Sequence, residues 1–196
     1  IEEGLEIFQP DSLRYALAAN FPEQADTEIS LEEIVRRIND ELVANWGNLV
    51  NRVLSMTHKT CDGAVAEPGV YSEEDESLLA FVDRSLQETA DLFESVELRA
   101  ALRKGMEAAQ AANRYLNATE PWKLSKTDPE RAKTVLYVAL SAINGIRVML
   151  SPFLPFSSEK LDELLGKPEG WQRNQLLPGL PIPKPKPLFK KVETEK

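Results

Sequence analysis

The chain has 196 residues, 42% hydrophobic and 28% charged, with a net charge of −9. This composition suits one packed domain with tails, or at most two small ones, and excludes a disordered chain; the acidic balance excludes an indiscriminate nucleic-acid binder. No run of eighteen apolar residues suggests a membrane span, Ile1-Glu2-Glu3 is no signal peptide, and the missing initiator Met suggests a piece of a longer polypeptide.

The periodicity is helical almost throughout. Asp11 is expected to cap a short helix with Leu13, Ala16 and Leu17 on its apolar side, ended by Phe21-Pro22. Ser30 followed by Glu33 reads as a capping box. The helix it opens carries Ile34, Ile38, Leu42 and Trp46, then Leu49, Val50, Val53 and Met56, to about His58. Residues 60–71 hold two Gly and one Pro and read as a loop. Ser72 caps a third helix with an acidic first turn and a stripe of Leu78, Leu79, Val82, Leu86, Ala90 and Phe93. After a break at Ser95, an alanine-rich helix runs from about Glu97 to Ala118. Asp128-Pro129 opens a fifth, the most apolar, to Leu150, and Ser157 a short sixth to Gly166. Residues 178–187 contain five prolines and two lysines and read as extended. The fold expected is all-α: an antiparallel helical bundle with an extended Pro-rich C-terminal arm. It divides into a connector (1–25), the bundle (26–166) and the arm (167–196).

The charge is unevenly spread. Residues 67–98 carry 1 basic and 10 acidic groups, whereas residues 99–133 carry 8 basic and 4 acidic. A phosphate backbone responds to the local field, screened beyond roughly 10 Å in ordinary salt, rather than to the total. The second stretch therefore permits a grip on a small folded RNA.

Catalytic chemistry is hard to build here. His58 is the only histidine and Cys61 the only cysteine, so no zinc set, internal disulfide or Ser-His-Asp set can be assembled. The single Cys argues for a reducing compartment, hence the cytoplasm. There is no Gly-rich phosphate loop, and His58-Lys59 suits a helix C-terminus better than a general base. No reaction and no metal or cofactor is assigned to the chain itself.

Recognition chemistry is present. Asn48 and Arg52, four apart in Asn48-Leu49-Val50-Asn51-Arg52, share a helix face. Asn supplies a donor and an acceptor, Arg a fork of donors, and together they suit the pairing edge of an unpaired cytosine. Trp122 follows Pro121 at a helix exit, where a flat ring can stack a base. On spacing alone, an Asn–Arg pair more often satisfies a helix end, and a Trp more often plugs a bundle. Asn113 lies on the apolar face of its helix and needs a partner there, another helix or a base. Trp46 and Trp171 read as packing residues.

Together these segments resemble the methionyl-tRNA synthetases, class I aminoacyl-tRNA synthetases. The resemblance runs through Asp11-Ser12-Leu13-Arg14-Tyr15, Val35-Arg36-Arg37-Ile38-Asn39, Asn45-Trp46-Gly47-Asn48-Leu49-Val50-Asn51-Arg52, Ala112-Asn113-Arg114-Tyr115-Leu116, Glu120-Pro121-Trp122-Lys123-Leu124 and Pro152-Phe153-Leu154-Pro155, and covers nearly the whole chain. It implies an anticodon-binding bundle that reads CAU through Asn48, Arg52 and Trp122, with Asn113 and Pro121 beside them. Gln110 and Asn117 stand where some members carry Asp. The family's ATP- and methionine-binding motifs, His-Ile-Gly-His and Lys-Met-Ser-Lys-Ser, are missing. The implied parent is a methionine–tRNA ligase using ATP and Mg, and this chain, inactive alone, would need the catalytic domain of the same polypeptide. The implied partner is the tRNA for methionine, with no DNA and no membrane, its phosphates held by basic groups between Arg99 and Lys133. The arm would fold back toward the catalytic body. The rivals are the corresponding domain of a synthetase for valine, leucine, isoleucine or cysteine, and a helical protein-interaction module offering the acidic stretch 67–98.

Overall fold

The computed structural model describes residues 2–21 and 30–193. The expected stop at Pro22, the 25/26 boundary and the last three residues of the arm lie outside them. The elements are α1 (Glu2–Ile7), α2 (Pro10–Ala19), α3 (Leu31–Arg36), a π-helical segment (Arg37–Gly47), α4 (Asn48–Thr60), α5 (Glu73–Glu94), α6 (Leu98–Thr119), α7 (Pro121–Thr127), α8 (Pro129–Leu150) and α9 (Pro155–Leu165). The fold is all-α; among the described residues the only β-pairing is an isolated bridge between Ala64 and Pro181.

Helices α5, α6 and α8 form the centre. Ser72 and Asp75 make a full capping box at the start of α5. Three residues, 95–97, turn the chain from α5 into α6 and make the two antiparallel. Within that turn Val96 is left-handed at φ 59°, a strained setting for a β-branched side chain. Asp128 caps α8 by accepting from the Arg131 N–H. Helix α8 is apolar enough to cross a membrane by length and composition, but 94% of its apolar window is buried inside the bundle, as befits a central helix. Its close approach to α5 depends on Gly145, where a Cβ would lie 2.5 Å from Val82 Cγ1.

The second predicted helix runs on from Leu31 to Thr60, but its middle is wound wide. Its apolar residues 34, 38, 42 and 46 are strictly four apart. That spacing falls between one α-helical turn of about 3.6 residues and one turn of the wider i→i+5 winding, and Ile38, Leu42 and Trp46 are all buried. At the segment's end the Asn48 N–H reaches back to the carbonyl of Val43, five residues away. The capping box expected at Ser30 is half made. Ser30 Oγ accepts from the Glu33 N–H, but the Glu33 carboxylate binds Arg36 instead of returning to Ser30.

The first helices correct the sequence expectation. Gln9 is the N-cap of α2 and Pro10 its first residue, so Asp11 does not cap that helix. Asp11 is buried and accepts from the backbone N–H groups of Phe156 and Ser157, at 3.3 and 2.6 Å, in the first turn of α9. Ser157 accordingly lies inside α9, which opens at Pro155. Arg14 donates to the carbonyls of Pro152 and Phe153, so α2 grips the α8–α9 corner at two points. Leu17 faces solvent and Tyr15 takes its expected place in the core, because α2 turns its Tyr15 edge toward Glu41 of the π segment.

The arm is pinned to the helices. Leu176, Ile182, Leu188 and Phe189 are buried. Gly179 and Ile182 donate to the carbonyls of Val65 and Gly63, and Val65 donates to Leu180. His58 Nδ1 lies 2.8 Å from the Ile182 carbonyl. Farther along, Val192 exchanges two hydrogen bonds with the Asn39 side chain, and the Lys190 N–H donates to Gln9.

Candidate nucleic-acid interface

Asn48 is the first residue of α4 and exposed; Arg52 is one turn on and half-buried. The stop that presents Trp122 is not the Pro-Trp step itself. Helix α6 ends because Glu120 turns left-handed, at φ 45° and ψ 56°, since a residue before proline is pushed out of the right-handed helical region. Pro121 then opens α7, a short helix not foreseen in the sequence, and is itself buried. Trp122, next in that first turn, is 38% exposed. The α7 turn is closed by Ser125 Oγ donating to the Trp122 carbonyl and by Lys123 pairing with Glu120.

These elements meet at Arg52. Its guanidinium carbon stands 5.4 Å from the centroid of the Trp122 ring, a cation–π contact. One of its nitrogens lies 3.5 Å from Asn117 Oδ1 on α6. Asn48, Arg52, Asn117 and Trp122, from three helices, therefore share one surface offering a ring face, a donor fork and two amides. Asn117 stood apart in the sequence as a departure from the family pattern; its spacing of four from Asn113 on one helix was the available signal.

Asn113 has another task. Its Nδ2 donates to Asn45 Oδ1 at 2.8 Å, to the Asn45 carbonyl and to Ala109, while Asn45 Nδ2 donates to the Met106 carbonyl. The pair ties α6 to the π segment and satisfies a carbonyl loosened by the wide winding. Of the two partners expected for Asn113, another helix or a base, its amide donors take the first.

The basic groups of residues 99–133 divide. Arg131 is held by the fully buried Asp75 carboxylate, with 2.8 Å from Nη2 to Oδ1, and also by Ser72 Oγ. Tyr115 donates its hydroxyl to the same carboxylate. Burial alone would raise the Asp75 carboxyl; Arg131, Tyr115 and the Ser72 N–H outweigh it and hold Asp75 below its ordinary value. Burial, then Asp75, pushes the Tyr115 hydroxyl upward. Arg131 is thus structural, fixing α5, α6 and α8 around the junction that carries Trp122. Lys104, Lys123 and Lys133 are paired with glutamates. Arg114 and Lys126 are exposed and form no ion pair among the described residues.

The chain has relatives among known proteins. Residues 65–196 fit the family described as the anticodon binding domain of methionyl tRNA ligase, and residues 1–54 the family of class I tRNA synthetases (M). Asn48 and Arg52 thus fall within one match and Trp122 in the other. The methionine–tRNA ligase of Roseiflexus sp. (strain RS-1) is 42% identical over 96% of this chain, and that of Corynebacterium urealyticum 36% over 100%. The chain spans 37% and 39% of their lengths. The apo methionyl-tRNA synthetase of Mycobacterium tuberculosis superposes with a TM-score of 0.89 at 32% identity, over 97% of this chain and 40% of that one. A fold in which three helices expose an Asn, an Arg and a Trp side by side, with a family match over most of its length, places the chain in the methionyl-tRNA ligase family, as its anticodon-binding helical domain.

Proposed function

We propose that this domain selects the tRNA for methionine by clamping the first base of a CAU anticodon. Trp122 stacks the cytosine, and Asn48 and Arg52 read its pairing edge. The observation that carries this reading is the Arg52–Trp122 contact, 5.4 Å from guanidinium carbon to ring centroid. It joins residues seventy positions apart, a half-buried Arg52 and a Trp122 that keeps 38% of its surface exposed. In the free protein the guanidinium rests on the ring; an arriving base takes the ring, and Arg52 turns to the base edge and the neighbouring phosphate. The parent enzyme would attach methionine to that tRNA in the cytoplasm, with ATP and magnesium bound by its catalytic part. Among the described residues no three His, Cys, Asp or Glu side chains gather into a metal site.

The test is tryptophan fluorescence of this chain titrated with a stem-loop RNA carrying CAU, against one carrying UAU. Quenching by the first alone, abolished in Trp122→Ala, is expected. Equal responses to both loops would defeat the cytosine assignment.

A further inference from the structure

The C-terminal arm carries charge that the base-reading site does not use. Residues 170–192 hold five basic groups and no acidic one, in a chain whose net charge is −9. Arg173 is paired with Asp83. Lys184, Lys186, Lys190 and Lys191 are exposed and form no ion pair among the described residues. The nearest acidic groups in sequence and across the arm's anchors, Asp62, Asp40 and Glu193, are exposed at its two ends and bind none of them.

The arm's path gives these lysines a direction. It is anchored to the α4 end by Ile182 at His58 and Gly63, to the middle by Phe189 against Gly47, and to the start of the π segment by Val192 at Asn39. The arm therefore runs antiparallel to the helix that bears Asn48 and Arg52. Around that helix, Gly47 and His58 face the arm. Asn48, Arg52, Ser55 and Lys59 sit on the next face round, roughly 80° to 140° away by helical geometry. Lys184 and Lys186 therefore lie between the His58 and Gly47 anchors, beside the reading face, and Lys190 and Lys191 just beyond its Asn48 end. Buried Ile182, Leu188 and Phe189 fix the backbone, and the alternating prolines hold it extended, so little ordering remains to be done when a ligand arrives.

Building on the anticodon reading above, we propose that the Pro-Lys arm is a phosphate rail: Lys184, Lys186, Lys190 and Lys191 contact the RNA backbone flanking the base held at Asn48, Arg52 and Trp122. The rail supplies affinity without sequence choice; the reading face supplies the choice. RNA is favoured over an acidic protein partner because the strip runs alongside the base site rather than on a separate face.

The test compares the unaltered chain with a variant in which all four lysines become Gln, against CAU and UAU stem-loops from 50 to 200 mM salt. Four released counterions correspond to a slope change of about 3 in log affinity against log salt. The unaltered chain should therefore lose about 60-fold more affinity than the variant across that range, with equal preference for CAU over UAU and equal Tm. An unchanged slope with the CAU preference intact overturns the rail and leaves the anticodon reading standing. A reduced slope without any CAU preference removes the reading and leaves only general RNA binding by the arm. A change in oligomeric state with no change in slope would overturn the rail by assigning the lysines to self-association.

Discussion

Asp11 caps a helix that begins 144 residues after it: its carboxylate accepts from the Phe156 and Ser157 N–H groups at the start of α9. An aspartate opposite two free amides of a helix N-terminus is favoured by both hydrogen bonding and the helix dipole. Asp11→Ala should cost about 1–2 kcal/mol, measured by denaturant unfolding, and raise amide exchange in both α2 and α9. Exchange raised in α2 alone would show that the cap does not hold α9.

The buried Asp75 sets the acid limit. Its folded carboxyl is held below the ordinary value, so its contribution is present above about pH 4 and is lost as pH falls through the lower, folded value. The Tm gap between the unaltered chain and Asp75→Asn should be constant from pH 5 to 8 and close below about pH 4. Removing the partner by Asp75→Ala leaves Arg131 and Tyr115 uncompensated and should cost about 3 kcal/mol or more. Glu33 is also held down, to about 2 by Arg36, but that pair is on the surface and its loss should leave Tm almost unmoved.

Two backbone positions give opposite signs. Val96 is 73% exposed and left-handed, so Val96→Gly relieves strain without opening the core. A gain of about 1 kcal/mol is expected, read as a rise in Tm. Gly145→Ala drives a Cβ toward Val82 and should cost about 1–3 kcal/mol. Equal Tm for the two variants would contradict both assignments.

At the reading surface, Trp122→Ala should weaken CAU stem-loop binding by about 5- to 150-fold, the worth of one stacked base. Trp122→Phe should recover part of it. Asn113→Ala acts differently: it releases α6 from Asn45 and should lower Tm before it alters the CAU to UAU preference. A lost preference at full stability would return Asn113 to the reading site.

Much of this was legible in the sequence. The caps at Ser72 and Asp128, the central helix 129–150 and the core place of Trp46 follow from local patterns, and local patterns are what periodicity and capping rules register. Three features were hidden because they join distant parts of the chain. Asp11 looked like the cap of its own helix since a cap across the fold has the same residue type. Asn113 was left with two possible partners, a helix or a base, because Asn45 lies in a segment whose winding is wider than the pattern assumed. Arg131 counted as a phosphate ligand until Asp75 claimed it. Asn48, Arg52 and Trp122 were singled out by their spacing and side-chain chemistry, and the resemblance implied their role; only the packing of α4, α6 and α7 added Asn117.

The closure of the arm onto the first helices has a mechanical consequence. Val192 and Phe8 belong to one small apolar cluster, and Lys190 and Gln9 share a hydrogen bond. The two ends of the folded chain are thus tied by contacts lying outside the main core. A force applied between residues near 8 and 192 would load this tie first, while the large helices stay intact. Strain from α1 would reach Phe189, which packs into the main core, and through it Gly47 beside Asn48.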